Sequence, residues 1–393
     1  MNKLHVLLIP SWYPSWQTPT RGIFFKEQAE ALWRAGVDVG VVYPELLSLR
    51  SFSFRGIRRN HFQITLGEES GVPTVRIHGW NIPRLKIGVY LRVRLAMRLV
   101  DLYVQRFGKP DLFHAHSVLW GGYVATLVAQ KYGIPYVITE HSSAYARALV
   151  LPWQGLYIRE SLCKAAKVIA VSHSLATLLR KYSPEKEIQI VPNVVNTDFF
   201  TLPSTPRAIK PFRFLTVASL IPNKGIDVLI RAFAWTFRDQ SDVCLEVGGD
   251  GPQRAELEAL AESLKIEDKV RFIGFLSRDQ VRDAMWRANV FVLASFQETF
   301  GVVLIEALAT GLSVIATRSG GPEDFVWPQV GWLVESGNMD DLARCLKHVY
   351  GNYLQVCTRE PEIRKYAMQH FSEKAVTEML LESYNQILES RTI

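Results

Sequence analysis

Between His5 and Val191, short Val/Ile/Leu-rich runs alternate with helical stretches, and that rhythm commits the chain to a parallel sheet of βα units. The runs predict strands at Leu7, Val39, Val75, Phe113, Val137, Ile169 and Ile190. Residues 201–211 then bring three prolines without apolar periodicity, the pattern of a linker. A second α/β unit follows, with strands expected at Leu215, Leu245, Phe272, Phe291, Val314 and Leu333. Its helices are expected near Gly225–Phe237, Arg254–Ser263 and Val303–Ala309. The expected fold is α/β, with two doubly wound domains facing each other across a cleft: residues 1–200, the linker 201–211, and 212–372. A closing helix near Glu373–Glu389 places Val376, Met379, Leu380, Tyr384, Ile387 and Leu388 at amphipathic spacing; this pattern suits packing on either domain.

Composition agrees with two globular cores, since 393 residues at 48% hydrophobic content supply enough apolar surface for both. Four cysteines, Cys163, Cys244, Cys345 and Cys357, lack the paired spacing of a disulfide framework or zinc site. The six-residue apolar run after Lys3 is too short for a signal-peptide core, so a cytoplasmic location is expected. Arg92, Arg94 and Arg98 interrupt the apolar region Ile87–Val104, which reads as a domain helix rather than a membrane span. Net charge is +7, and it is concentrated: residues 50–98 hold ten Arg or Lys against Glu68 and Glu69, a local balance of +8. With Phe52, Phe54 and Phe62 among Arg55, Arg58 and Arg59, this segment suits an anionic membrane surface on the inner face of the cell membrane, or a lipid diphosphate acceptor. The alternative is a solvated basic loop.

Open α/β sheets bind ligands beyond the carboxyl ends of their strands, so the strand-to-helix turns are where chemistry is expected. The most informative runs from Ser295 through Glu298, Phe300, Gly301, Val302 and Glu306 to Gly311. A helix start leaves amides unpaired and carries the positive end of the helix dipole, which favours a diphosphate, and Gly301 removes the side chain that would block it. Glu298 and Glu306 carry acceptor-only carboxylates, so one can meet hexose hydroxyls and the other ribose hydroxyls. The plain alternative is that Glu306 solvates an ordinary helix. In Ser219-Leu-Ile-Pro-Asn223-Lys224-Gly225, the Lys224 ammonium is placed to stabilise charge that builds on a departing diphosphate. No D-x-D sequence is present to hold a divalent ion, so a metal-independent site with no separate cofactor is expected. In the first unit, Thr20-Arg21-Gly22 opens a helix on a glycine, and His114-Ala-His116 follows a strand. There His116 is suited to donate a hydrogen bond to a sugar hydroxyl. Thr139-Glu140-His141 places Glu140 and His141 where they would position an acceptor hydroxyl or simply cap the next helix.

Together with Thr317-Arg-Ser-Gly320-Gly321-Pro-Glu323, Gly248-Gly249-Asp250-Gly251-Pro252 and Val270-Arg-Phe-Ile-Gly274, these stretches resemble the family-4 retaining glycosyltransferases of the GT-B fold. The resemblance implies two Rossmann-like domains, an N-terminal one for the acceptor and a C-terminal one for the donor, with the closing helix of about 373–393 returning to the first. It implies transfer of a sugar from a nucleoside diphosphate sugar to a hydroxyl acceptor with retained configuration, in bacterial cell-surface polysaccharide or glycolipid assembly. His116, Lys224 and Glu298 would be catalytic. Gly22, Ser219, Lys224, Gly274, Glu298, Phe300, Gly301, Val302 and Glu306 would hold the donor, with the base read by main chain near Gly274. A lipid-linked acceptor fits this class, and no nucleic-acid partner is expected. The chain departs from the family at Ser219, where an arginine is frequent; Ser219 offers one neutral hydrogen bond, so leaving-group stabilisation is either weaker or assisted by Arg318, Asn223 or another basic group. A nucleotide-sugar hydrolase or epimerase and a non-catalytic nucleotide-sugar-binding scaffold are the rival readings. The fingerprint G-x-G-x-x-G is absent, because Arg254 stands where the third glycine would be, which disfavours a dehydrogenase.

Overall fold

The computed structural model describes residues 3–49, 58, 60–81 and 86–390. The chain divides into two compact units. The first comprises Met1–Val171, Leu175–Val194 and Val376–Ile393; the second comprises Ser172–Ser174 and Val195–Ala375.

Unit 1 is built on eight strands: β1 (His5–Pro10), β2 (Asp38–Ser48), β3 (Gln63–Glu69), β4 (Val72–Asn81), β5 (Leu112–His116), β6 (Tyr136–Glu140), β7 (Lys167–Ala170) and β8 (Ile188–Ile190). They lie in the order β3-β4-β2-β1-β5-β6-β7-β8, and every pair is parallel except β3 with β4. Its helices are α1 (Ile23–Arg34), α2 (Lys86–Phe107), α3 (Tyr123–Tyr132) and α4 (Gly155–Lys164), with α5 (His173–Arg180) at the unit boundary. The seven expected strands are all present. β3 is the addition: its residues are largely exposed, and it joins β4 through Ser70 and Gly71, both at positive φ (53° and 87°) as a tight hairpin requires. The closing helix, Glu373–Glu389, buries Val376, Leu380, Tyr384 and Ile387 against Val6, Leu8, Phe25 and Val39 in one core cluster, so it belongs to unit 1.

The basic segment is structured where it is described. It contains β3, β4 and α2, and Arg76 is an interior cation paired with Glu45 at 3.2 Å and Glu69 at 2.6 Å, so it adds nothing to a positive surface. Arg50, Phe52, Phe54, Arg55, Arg59 and Arg84 lie outside the described residues, whereas Arg58 and Phe62 are exposed. No helix among the described residues is long and apolar enough to cross a membrane.

Unit 2 holds six parallel strands, β9 (Phe212–Val217), β10 (Val243–Gly248), β11 (Val270–Gly274), β12 (Val290–Leu293), β13 (Ser313–Arg318) and β14 (Gly331–Glu335), in the order β11-β10-β9-β12-β13-β14. Its main helices are α6 (Ile226–Phe237), α7 (Arg254–Ser263), α8 (Arg278–Arg287), α9 (Val302–Ala309), α10 (Met339–Gly351) and α11 (Glu360–Phe371); the closing helix is α12. Phe214, Leu245 and Val292 from the sheet pack with Leu229, Phe233 and Leu346 from the helices. In each unit the chain winds outward from its first strand and then crosses back to wind the other way. The reversal falls between β1 and β5 in unit 1 and between β9 and β12 in unit 2. At such a reversal the flanking turns splay apart and leave a crevice at the strand ends.

Candidate active site

In unit 2 the crevice is bordered by the turn after β9 and the turn after β12. The first turn carries Lys224 and the second Glu298, and the ammonium donates directly to the Glu298 carboxylate. Ser295 Oγ, fully buried, donates to the same carboxylate oxygen at 2.8 Å. The turns are stapled together: Phe296 N–H donates to the Asn223 carbonyl at 2.8 Å, and Asn223 Nδ2 donates to the Gln297 carbonyl at 2.9 Å. Gly225 permits this closeness, since it sits at φ 60° and a Cβ there would lie 2.2 Å from the Ala294 carbonyl oxygen.

α9 begins at Val302, one short turn after Glu298. Gly301 caps it at φ 94°, and the amides of Val302 and Val303 in its first turn have no carbonyl four residues back to pair with. Phe300 is buried against Phe325 at 4.9 Å and Phe371 at 6.0 Å, so only its backbone is available to a ligand. Ser219 is exposed. The two expected helpers of Lys224 are otherwise engaged: Asn223 holds the staple, and Arg318 pairs with Glu335 at 3.2 Å. Gly274 ends β11 at φ 73°, and its carbonyl accepts from Gly249 N–H at 2.7 Å, keeping one lone pair free.

Glu306 lies half-buried in the second turn of α9, and burial pushes its carboxyl up from 4.5 to about 7, with Arg278 pulling the other way. The sign follows from linkage. The unfolded carboxyl ionises near 4.5 and the folded one near 7, so stability falls as pH rises across that window and is level above it. Glu306→Gln is therefore expected to match the wild type below the window and to exceed it at pH 8 by at most about 3 kcal/mol, read as a pH-dependent gap in urea unfolding. Equal stabilities at both pH values would rule out a buried, unpaired charge.

In unit 1 the expected residues gather at the ends of β1, β5 and β6. Gly22 caps α1 at φ 75°, and Phe25, one turn on, packs against His116 at 4.8 Å and His141 at 4.7 Å. His116 and His141 are both buried and share a hydrogen bond of 3.2 Å between His116 Nδ1 and His141 Nε2. His141 Nδ1 in turn reaches Asn193 Oδ1 at 2.9 Å. An amide oxygen only accepts, so His141 carries its proton on Nδ1, His116 carries its own on Nδ1, and His116 Nε2 is left as a bare lone pair. That nitrogen is buried and has no partner among the described residues. The sequence suggested a donor at His116; the chain ending on Asn193 makes it an acceptor. Burial holds the His141 imidazole down to about 3, and His116 falls well below its ordinary value through burial and then its neighbours His114 and His141, so both are neutral at physiological pH. Asn193 was not legible as a site residue, being 52 positions from its partner.

Glu140 is fully buried, and it is spent on backbone: Oε1 accepts from His141 N–H and Ser142 N–H, both at 2.7 Å, and Oε2 from Val118 N–H at 2.8 Å. Desolvation raises its pKa, and these amides oppose the rise. It fastens the turns after β5 and β6 to each other, and the Ser117 and Tyr145 hydroxyls also lie against it.

The description "Glycosyl transferases group 1" fits residues 202–367, and "Glycosyltransferase Family 4" fits residues 22–199. The chain belongs to the family-4, group 1 glycosyltransferases. Similar structures agree on the GT-B fold: a sucrose-phosphate synthase from Thermosynechococcus elongatus superimposes with TM-score 0.80 at 22% identity, over 99% of this chain and 100% of the other. HepE from Anabaena, in complex with UDP and glucose, gives 0.71 at 19% identity over 97% and 100%. Among curated relatives, the phosphatidylinositol N-acetylglucosaminyltransferase gpi3 subunit of Schizosaccharomyces pombe is 31% identical over 70% of this glycosyltransferase, which spans 61% of that relative's length. The putative teichuronic acid biosynthesis glycosyltransferase TuaC of Bacillus subtilis is 27% identical over 87% of this chain and 88% of its own.

Proposed function

We propose that this glycosyltransferase moves a sugar from a nucleoside diphosphate sugar to a hydroxyl acceptor. Configuration is retained and no metal ion takes part. The setting is the assembly of a bacterial cell-surface polysaccharide or glycolipid at the cytoplasmic face of the membrane, with a lipid-linked acceptor. One observation carries the reading: Lys224 and Glu298 meet at the crevice of unit 2, beside the unpaired amides that open α9. Lys224 and those amides supply positive potential for the diphosphate, Glu298 takes hydroxyls of the transferred sugar, and Glu306 takes ribose hydroxyls. Main-chain groups at Gly274 read the base, and Gly22 opens its helix to the donor. His116 Nε2 is the acceptor for a sugar hydroxyl. The UDP and glucose bound by HepE and the teichuronic acid role in the name of TuaC support the substrate class.

In the proposed step the bond from the anomeric carbon to the diphosphate oxygen breaks as the bond to the acceptor oxygen forms on the same face. The acceptor proton passes to the departing diphosphate. NMR of the product formed from an α-linked donor is expected to show an α-linked glycoside. A β-linked product would overturn retention, and acceptor-independent release of free sugar would overturn transfer.

A further inference from the structure

One face of unit 1 carries an apolar rim that the catalytic reading leaves without a task. α2 packs beside α3, and α3 beside α4, so the three form one layer on the sheet. α2 begins beyond the carboxyl end of β4, and α4 beyond that of β6. Ile87 and Tyr90 stand at the start of α2, and Leu149, Leu151 and Leu156 stand just before and at the start of α4. These five side chains are between 45% and 76% exposed, far beyond what a solvated helix start requires. Next to the leucines in sequence, Trp153 stacks on Trp120 at 5.8 Å and Tyr157 meets Trp120 edge-on at 5.6 Å, an amphipathic group of the kind found where apolar and wet environments meet.

The charges of this layer that stay unpaired among the described residues are positive. Arg94, Arg147 and Arg159 are exposed and make no ion pair among the described residues; Arg94 lies over the Tyr90 ring with its centre 5.6 Å from the centroid. The acids in the same layer are engaged: Glu160 holds Lys164 at 2.7 Å, and Asp101 holds Lys131 and the Tyr132 hydroxyl, each at 2.6 Å. Exposed leucines, interfacial aromatics and uncompensated arginines together match the interface of a bilayer bearing anionic headgroups.

We propose that this rim, Ile87 and Tyr90 with Leu149, Leu151 and Leu156, seats unit 1 on an anionic phospholipid surface. The same sheet edge carries His116 and His141 at the ends of β5 and β6, so docking presents that edge to the lipid headgroup layer. The proposal deepens the lipid-linked acceptor reading but does not depend on the transfer chemistry.

The test is sedimentation of the full chain with sucrose-loaded vesicles, either phosphatidylcholine alone or phosphatidylcholine with one quarter phosphatidylglycerol. The wild type is expected to pellet with the anionic vesicles and to remain in solution with the neutral ones. Each arginine removed in Arg147→Gln/Arg159→Gln lowers the partition coefficient about fivefold. The triple change Leu149→Ser/Leu151→Ser/Leu156→Ser lowers it about tenfold or more. The substituted side chains are exposed, so unchanged melting of the variants shows that folding is preserved. Retained transfer to a water-soluble acceptor by the triple variant separates docking from catalysis. A wild type that ignores anionic vesicles, equal pelleting with neutral ones, or a triple variant that pellets like the wild type would each overturn the proposal. Light scattering that shows a dimer lost in the triple variant, without vesicle binding, would assign the rim to a second copy instead.

Discussion

Replacing Lys224 by alanine is expected to lower kcat about a thousandfold while the protein remains folded. Charge accumulates on the diphosphate as the glycosidic bond breaks, and a fixed cation near that point stabilises the transition state more than the ground state; removing one such group costs about two to three orders of magnitude. Ser219 cannot substitute, and Arg318 is turned to Glu335. The pairing of Lys224 with Glu298 adds a second expectation. Glu298→Gln leaves the ammonium without its anionic neighbour, so a bare nucleoside diphosphate should bind it more tightly than it binds the wild type, even as transfer is lost. The double variant should lose little beyond Lys224→Ala alone, because the two groups act as a coupled pair. Steady-state rates with calorimetric titration of the diphosphate separate these outcomes. Wild-type turnover in Lys224→Ala would end the assignment of this crevice as the donor site.

Glu140→Ala should produce the largest loss of stability without touching the donor side. The carboxylate accepts three amides, two of them buried and that of Ser142 partly so, and each buried donor left without a partner costs about 1 to 3 kcal/mol. A total near 4 kcal/mol lowers the melting temperature by roughly 10 °C for a unit of this size. Glu140→Gln should fall between alanine and wild type, since one oxygen still accepts from His141 and Ser142 while its NH2 opposes the Val118 amide. Calorimetric unfolding checks both variants. An alanine variant that melts with the wild type would show that the amides find other acceptors.

The strands were readable because parallel strands buried on both faces are short apolar runs, and Leu7, Val137 and Phe291 announce theirs plainly. β3 escaped because an exposed edge strand such as Gln-Ile-Thr-Leu-Gly-Glu-Glu carries little apolar signal; the Ser70-Gly71 turn was the available clue. Glu298, Gly301 and Glu306 were legible as a local motif around one helix start. The adjacency of Lys224 to Glu298 was not, because it depends on β9 and β12 being neighbours across 74 residues of sequence. Asn193 was silent for the same reason, and Asn223 was legible only as a neighbour of Lys224, not as the staple to Gln297: an asparagine in a loop has no pattern, and its value is set by what the sheet order places beside it. Arg76 misled the charge count, since a cation paired inside the fold reads the same in sequence as one in water.

The staple from Asn223 to Phe296 and Gln297, with Gly225 lying against the Ala294 carbonyl, makes the two turns of the proposed donor site a single rigid template. An incoming ligand spends little of its affinity on ordering loops. For anyone grafting donor preference from a relative, the smallest exchangeable module is both turns at once: a chimera that imports either alone inherits a broken seam.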